Sequence, residues 1–339
     1  MNTNSLSGQS WLGAYLYYNE PWEDFLRQAV APFVQKILAE GLAEQFFFIR
    51  YWEKGPHIRL RFKGDPEVLE NQVKPRIIQY FSNYFTMHPS CRIDPPWLAA
   101  VPEAQQWYPN NSIQFIPYEP ETERYGGDSG IFISESQFQA SSEAVLGALT
   151  ENNQWDYSRA LGIAIQMHLG FAFAAGLDLP ATINFFSGVF RNWLPRAYFP
   201  PPQQLSAEEI KTRQEEVIKA FRNTYHKQKN MLLPLFTQIW QGLENNTVFE
   251  QHWFNTWLEQ TQVINAAFRQ AQQDNQVILP QWAAGLTSEN ISTQQLQRWA
   301  IYDSYIHMTN NRLGILNRDE GYLGFLIKEG LAEMALQAV

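Results

Sequence analysis

Phe46-Phe47-Phe48-Ile49-Arg50-Tyr51, a break at Gly55-Pro56, then His57-Ile58-Arg59-Leu60-Arg61-Phe62: these two runs decide the fold. The first begins wholly apolar and the second alternates with period two, so both read as strands joined by a turn. On the second strand His57, Arg59 and Arg61 share one face, while Ile58, Leu60 and Phe62 share the other. Upstream, Trp11 to Tyr18 is an aromatic-rich strand closed by Asn19-Glu20-Pro21. Trp22 to Glu40 carries Phe25, Leu26, Val30, Phe33, Val34, Ile37 and Leu38 at helical spacing, with Pro32 placed to kink the helix and Gly41 to stop it. Downstream, Pro66 to Phe85 reads as a second amphipathic helix, and Ile113 to Tyr118 as another strand.

Strand, helix, strand pair, helix is the order of a helix-covered sheet. From Tyr157 onward the periodicity is helical almost throughout, broken at Pro195 to Pro202 and Gly285 to Thr293. A helix over Ser206 to Leu233 is expected to end ahead of Pro234. The predicted class is α+β: a sheet-containing part over 1–145 and a helical lobe over 146–339, forming one compact catalytic unit. The Pro-rich segment from Met87 to Asn111 cannot be a continuous helix and is long for an idle loop.

Composition narrows the function. With 25 Lys and Arg against 34 Asp and Glu in 339 residues, the net charge of -9 disfavours direct nucleic-acid binding. Cys91 is the only cysteine, so an internal disulfide and a clustered cysteine metal site are excluded. The histidines lack metal-ligand spacing, and neither a P-loop nor a hydrolase elbow occurs; no metal and no cofactor are predicted. No secretion signal or apolar span is seen, and the expected location is the cytoplasm, away from membranes.

Three constellations could carry chemistry. The first is the face of His57, Arg59 and Arg61, with Arg50 nearby. Its plain reading is a half-exposed sheet edge with solvated arginines; its functional reading is a carboxylate- or oxyanion-binding surface. The second is Glu123-Arg124-Tyr125-Gly126-Gly127. There adjacent glycines permit positive φ and would bring backbone amides close to a ligand, unless this is an ordinary loop. The third is Asp303, His307 and Asn311, one helical turn apart, with Arg312 beside them. A carboxylate there would orient His307 for proton transfer, whereas a lone helical histidine is commonly a packing residue.

In their order these motifs, ending in His307-Met308-Thr309-Asn310-Asn311-Arg312-Leu313-Gly314, resemble the C-terminal domain of lantibiotic dehydratases. The resemblance is to its free-standing, thiopeptide-type bacteriocin biosynthesis form. It implies a lyase that removes glutamate from glutamylated Ser or Thr of a ribosomally made precursor peptide, leaving dehydroamino acids. By this resemblance Arg59, Arg61 and Arg124 hold the glutamyl group or an enolate oxygen and His307 transfers the proton. Arg50, His57, Tyr125, Gly126, Gly127, Asp303, Asn311 and Arg312 complete the candidate site. The implied partners are the precursor peptide and a separate tRNA-dependent glutamylating protein, with a homodimer left open. Two alternatives stand: a [4+2] pyridine synthase with leader-peptide elimination, and a non-catalytic leader-peptide-binding partner of a dehydratase.

Overall fold

The computed structural model describes residues 9–152, 154–198, 202–285 and 291–337. The chain divides into two compact units, the first running to Glu121 and including Ser134–Trp155, the second comprising Thr122–Ile133 and the chain from Asp156 onward. The architecture is α+β, with a four-stranded antiparallel sheet in the first unit and helices throughout the second.

In the first unit the strands are β1 (Ser10–Tyr17), β2 (Gln45–Tyr51), β3 (His57–Gly64) and β4 (Ser112–Phe115), in the order β2-β3-β1-β4. The strand carrying the arginines is therefore central, paired to β1 on one side and to β2 on the other, and the expectation of a half-exposed edge is corrected. Register sets the faces: Leu60 lies between Ala14 and Phe48, and Arg59 between Tyr15 and Ile49. Helix α1 (residues 23–39) and helix α2 (66–87) cover the apolar face, where Phe33 meets both Phe62 and Phe81 edge-on or tilted.

Each of these helices contains one π-helical turn, Leu26–Val30 and Leu69–Val73, just ahead of Pro32 and Pro75. Proline brings no N–H and crowds the carbonyl four residues back, so a widened turn lets the helix continue where the i−4 bond is lost. The long helix α3 (Gly127–Glu151) lays its later turns on the other sheet face. Phe138 touches Phe47, Glu135 pairs with Lys63 at 3.0 Å, and Ser142 Oγ accepts the edge amide of Phe48 at 3.2 Å.

The Pro-rich segment is an ordered loop with two short 3-10 turns, Pro96–Ala100 and Glu103–Gln105. It is closed by Ser90, which bonds to the side chains of Asn110 and Asn111, and it is tied to the β2–β3 turn by Tyr108 N–H donating to Lys54 O at 3.0 Å.

In the second unit α4 (Tyr157–Ala174) and α5 (Leu179–Trp193) are capped by Asp156 and Asp178, whose side chains accept from Arg159 and Ala181 N–H. They are followed by α6 (Ala207–Glu244), α7 (His252–Gln273), α8 (Thr293–Leu313) and α9 (Asn317–Gln337). A capping box of Ser206 and Glu209 opens α6. The expected stop at Pro234 is corrected: α6 runs through it, because losing one backbone bond is outweighed by burying Phe236, Ile239, Trp240 and Leu243 beyond it.

Helix α9 approaches α5 closely at Gly324, where a Cβ would come within 2.8 Å of Phe190 N and 3.1 Å of its Cα. The preceding contact, Gly321 over Leu194, is similar. No described helix is long and apolar enough to cross a membrane.

Candidate functional site

In the first unit, His57, Arg59 and Arg61 share a sheet face walled by aromatic rings. His57 is fully buried between Tyr15 and Tyr17. Its Nδ1–H donates to Gly55 O at 2.8 Å, and its Nε2 accepts from Arg59 Nε at 3.1 Å. Burial pushes its pKa down to about 4, so the ring is neutral; the Gly55 carbonyl opposes this, while Arg59 and Arg61 add to it.

Arg59 lies 3.5 Å from the centre of the Tyr51 ring and 4.6 Å from that of Tyr15, and its guanidinium pairs with Glu53 at 3.0 Å. Arg61 is 6% exposed, against Phe47 and Tyr118, and hydrogen-bonds the Tyr15 oxygen. Burial pulls its pKa below the ordinary guanidinium value, opposed by Tyr15 and Tyr118. Among the described residues no carboxylate pairs with Arg61, and its Nε has no hydrogen-bond partner. A buried guanidinium without an acid is a charge an incoming anion would balance. Arg50 is not on this face: it pairs across the sheet with Ile58, is 3% exposed, and binds Glu23 at 2.7 Å.

In the second unit His307 stands on α8, the helix begun by the Ser292 cap and ended by Gly314 at φ +81°. After that turn α9 begins, and Glu320 lies in its first turn, where the helix dipole favours negative charge. Glu320, 1% exposed, accepts from His307 Nδ1–H at 2.8 Å. Its other oxygen accepts from Asn310 Nδ2 at 3.0 Å, and Asn310 Oδ1 accepts from His168 Nε2–H at 2.8 Å. Burial holds the His168 pKa down to about 4, so this second imidazole is neutral and serves as a donor.

Trp193, at the end of α5, stacks on His307 with centroids 4.5 Å apart. A carboxylate can only accept, so Nδ1 carries a proton and Nε2 is the ring nitrogen that Glu320 does not engage. Helical spacing in the sequence points to Asp303 as the orienting acid. The structure gives that place to Glu320, and Asp303, one turn back, instead accepts from Trp193 Nε1 at 3.3 Å.

Arg124 is anchored on the same helix, with Nε donating to Ser304 Oγ at 3.2 Å. Tyr125 is buried and stacked with Tyr305. Gly126 and Gly127 have φ of +90° and +89°, as expected, yet their amides are spent on Glu123 O and Thr122 O, so the turn shapes the loop rather than offering free donors. A Cβ on Gly126 would press Ile301 and Val277 at 2.8 Å. Arg312 is fully buried and donates to Met308 O, while Asn311 is half-buried beside it.

Glu320, Trp193, Asn310 and His168 were not singled out in the sequence. The one available signal was Glu320, an acid opening a helix just after the Gly314 stop. Among the described residues no group of three or more His, Cys, Asp or Glu is placed to hold a metal.

A family model described as the C-terminal part of lantibiotic biosynthesis dehydratases matches residues 11–329. Nisin biosynthesis protein NisB of Lactococcus lactis subsp. lactis is 29% identical over 158 residues, which is 43% of this chain but only 13% of that relative. Among solved structures, the pyridine synthase TbtD from thiomuracin biosynthesis has a TM-score of 0.71 at 18% identity, covering 96% of this chain and 98% of that one. The tRNA-dependent lantibiotic dehydratase MibB from Microbispora sp. 107891 has a TM-score of 0.58 at 20% identity, covering 100% of this chain and 29% of that one. TsrL has a TM-score of 0.66 at 17% identity, covering 96% and 95%. These likenesses concern the fold, and the family match spans nearly the whole chain. The chain belongs to the family of lantibiotic biosynthesis dehydratase C-terminal domains.

Proposed function

We propose that this protein is an enzyme modifying a ribosomally made precursor peptide, and that it removes glutamate from glutamylated Ser or Thr to leave a dehydroamino acid. The observation that carries the reading is His307, whose Nδ1 is fixed by the buried Glu320 and whose Nε2 is left to move a proton. The Cα proton of a peptide residue is a very weak acid, so elimination needs a positioned base and fixed positive charge for the developing enolate and the departing carboxylate. In this reading His307 Nε2 transfers the proton. Arg61 and Arg59 hold carboxylate or enolate oxygens, and Arg124 adds positive charge near α8. The peptide and a separate glutamylating protein are its partners.

A second reading, cycloaddition to a pyridine, is favoured by one observation: the likeness to the pyridine synthase extends over nearly all of both chains. Positioning would then dominate the catalysis. A non-catalytic peptide-binding partner would have no use for an oriented imidazole.

The test gives the protein two substrates, a glutamylated precursor peptide and a thiazole peptide bearing two dehydroalanines, and follows both by mass spectrometry. Loss of glutamate from the first supports elimination. Consumption of the second alone establishes the alternative, and inertness toward both leaves the binding role.

A further inference from the structure

A cavity of about 510 Å³ lies in the helical unit, between α5, α8 and the turn Gln281–Ala283. Its volume is that of a site for a small ligand or one large side chain. Arg191 and Trp282 are exposed at its mouth, while Phe185, Leu296, Ala300 and Asp303 are buried in its floor. Asp303 is only 6% exposed; Oδ2 accepts the Trp193 indole N–H, and Oδ1 has no hydrogen-bond partner. Nothing in the proposed reaction uses this carboxylate, since the acid oriented on His307 is Glu320.

We propose that this cavity is a binding pocket for a basic side chain, an ammonium or guanidinium on an alkyl stem, with Asp303 as its counter-charge. Phe185, Val189, Leu296 and Trp299 share the lining with Asn184, Asn192 and Gln295 around one buried acid, a mixture that matches a ligand with an apolar stem and a cationic head, as a lysine or arginine side chain has. A neutral alkyl group would leave the acid unanswered, and a carboxylate would meet a like charge at the floor. Arg191 stands at the exposed mouth, where solvent screens its charge. That the bearer is the precursor peptide rests on the function proposed above; the preference for an alkyl cation does not.

Occupancy is also tied to pH. Burial raises the Asp303 pKa to about 6, with Glu320 adding to the rise and the Trp193 N–H, His307 and Arg124 opposing it. The pocket is therefore charged above about 6 and loses its anion below.

The test is calorimetric titration of the whole protein with agmatine, and with 1-pentanol and glutarate as neutral and anionic counterparts. Agmatine is expected to bind saturably at about pH 7.5, at least about tenfold more tightly than either, and to weaken about tenfold per unit well below pH 6. Asp303→Asn, which preserves the shape, is expected to lose at least about tenfold in agmatine affinity. Equal affinity for pentanol, preference for glutarate, no agmatine binding to the unaltered protein, or full affinity in Asp303→Asn would each overturn the assignment. Since no reaction is followed, failure here is distinct from failure of the elimination assay.

Discussion

The imidazole of His307 and the carboxylate of Glu320 meet at 2.8 Å across the Gly314 turn, with Glu320 almost wholly excluded from water. Asn310 holds the second carboxylate oxygen and is itself held by His168, so the acid cannot rotate without also breaking its bond to Asn310. The stacked Trp193 restrains the ring from its face. Order thus passes from a buried neutral histidine, through an amide and an acid, to one imidazole nitrogen left for chemistry.

His57 and His168 should both remain neutral at about pH 5.5, because burial depresses each to about 4. Since their folded pKa values lie below the unfolded 6.5, their contribution to stability is complete above pH 6.5 and is lost as pH falls through about 4. Nitrogen-15 NMR of the imidazoles gives the check. His168 should show a protonated Nε2 and bare Nδ1, and His57 the reverse; titration of either near 6.5 would contradict this.

Arg61→Ala is expected to lower kcat/KM by about 100-fold or more, as for removal of a buried group that balances developing negative charge. Arg61→Lys should recover only part, because it keeps the charge and loses the fork. Arg59→Ala should cost less, about tenfold, since the exposed Glu53 already answers part of its charge. Steady-state kinetics of the three variants on one peptide test the order; equal losses would remove the distinction between the two arginines.

Gly324→Ala should destabilise the helical unit by about 1–3 kcal/mol, because the new methyl meets the backbone of Phe190, which cannot swing aside. The same strain pushes α9, and Glu320 with it, away from its place against α8 and α5. Denaturant unfolding measures the first effect, and loss of activity beyond the loss of folded protein measures the second. An unchanged midpoint would mean that the helices have room to spare.

Much of the architecture was legible in the sequence because periodicity is local: the alternation of His57 to Phe62 and the helical spacing from Phe25 to Leu38 reappear as a strand and a helix. The central position of β3 was not, because strand order depends on pairing with β1, whose partners lie 40 to 54 residues away. Pro234 misled for a similar reason, its local cost being outweighed by tertiary burial. His307 and Arg124 could be singled out by motif. Glu320 could not, since its approach depends on where Gly324 lets α9 settle against α5. Asp303 was named from helical spacing alone, and spacing says nothing of an acid arriving from another helix.

The most direct measurement is the rate of glutamate loss from a glutamylated peptide, followed by mass spectrometry with the unaltered protein, His307→Ala and Glu320→Gln. Glutamylated peptide should accumulate unprocessed with His307→Ala, and Glu320→Gln should fold normally yet run about 10–100-fold more slowly, the cost of losing the group that orients a catalytic imidazole. Rates indistinguishable from the unaltered protein in both variants would contradict the assignment of His307 as the residue that moves the proton.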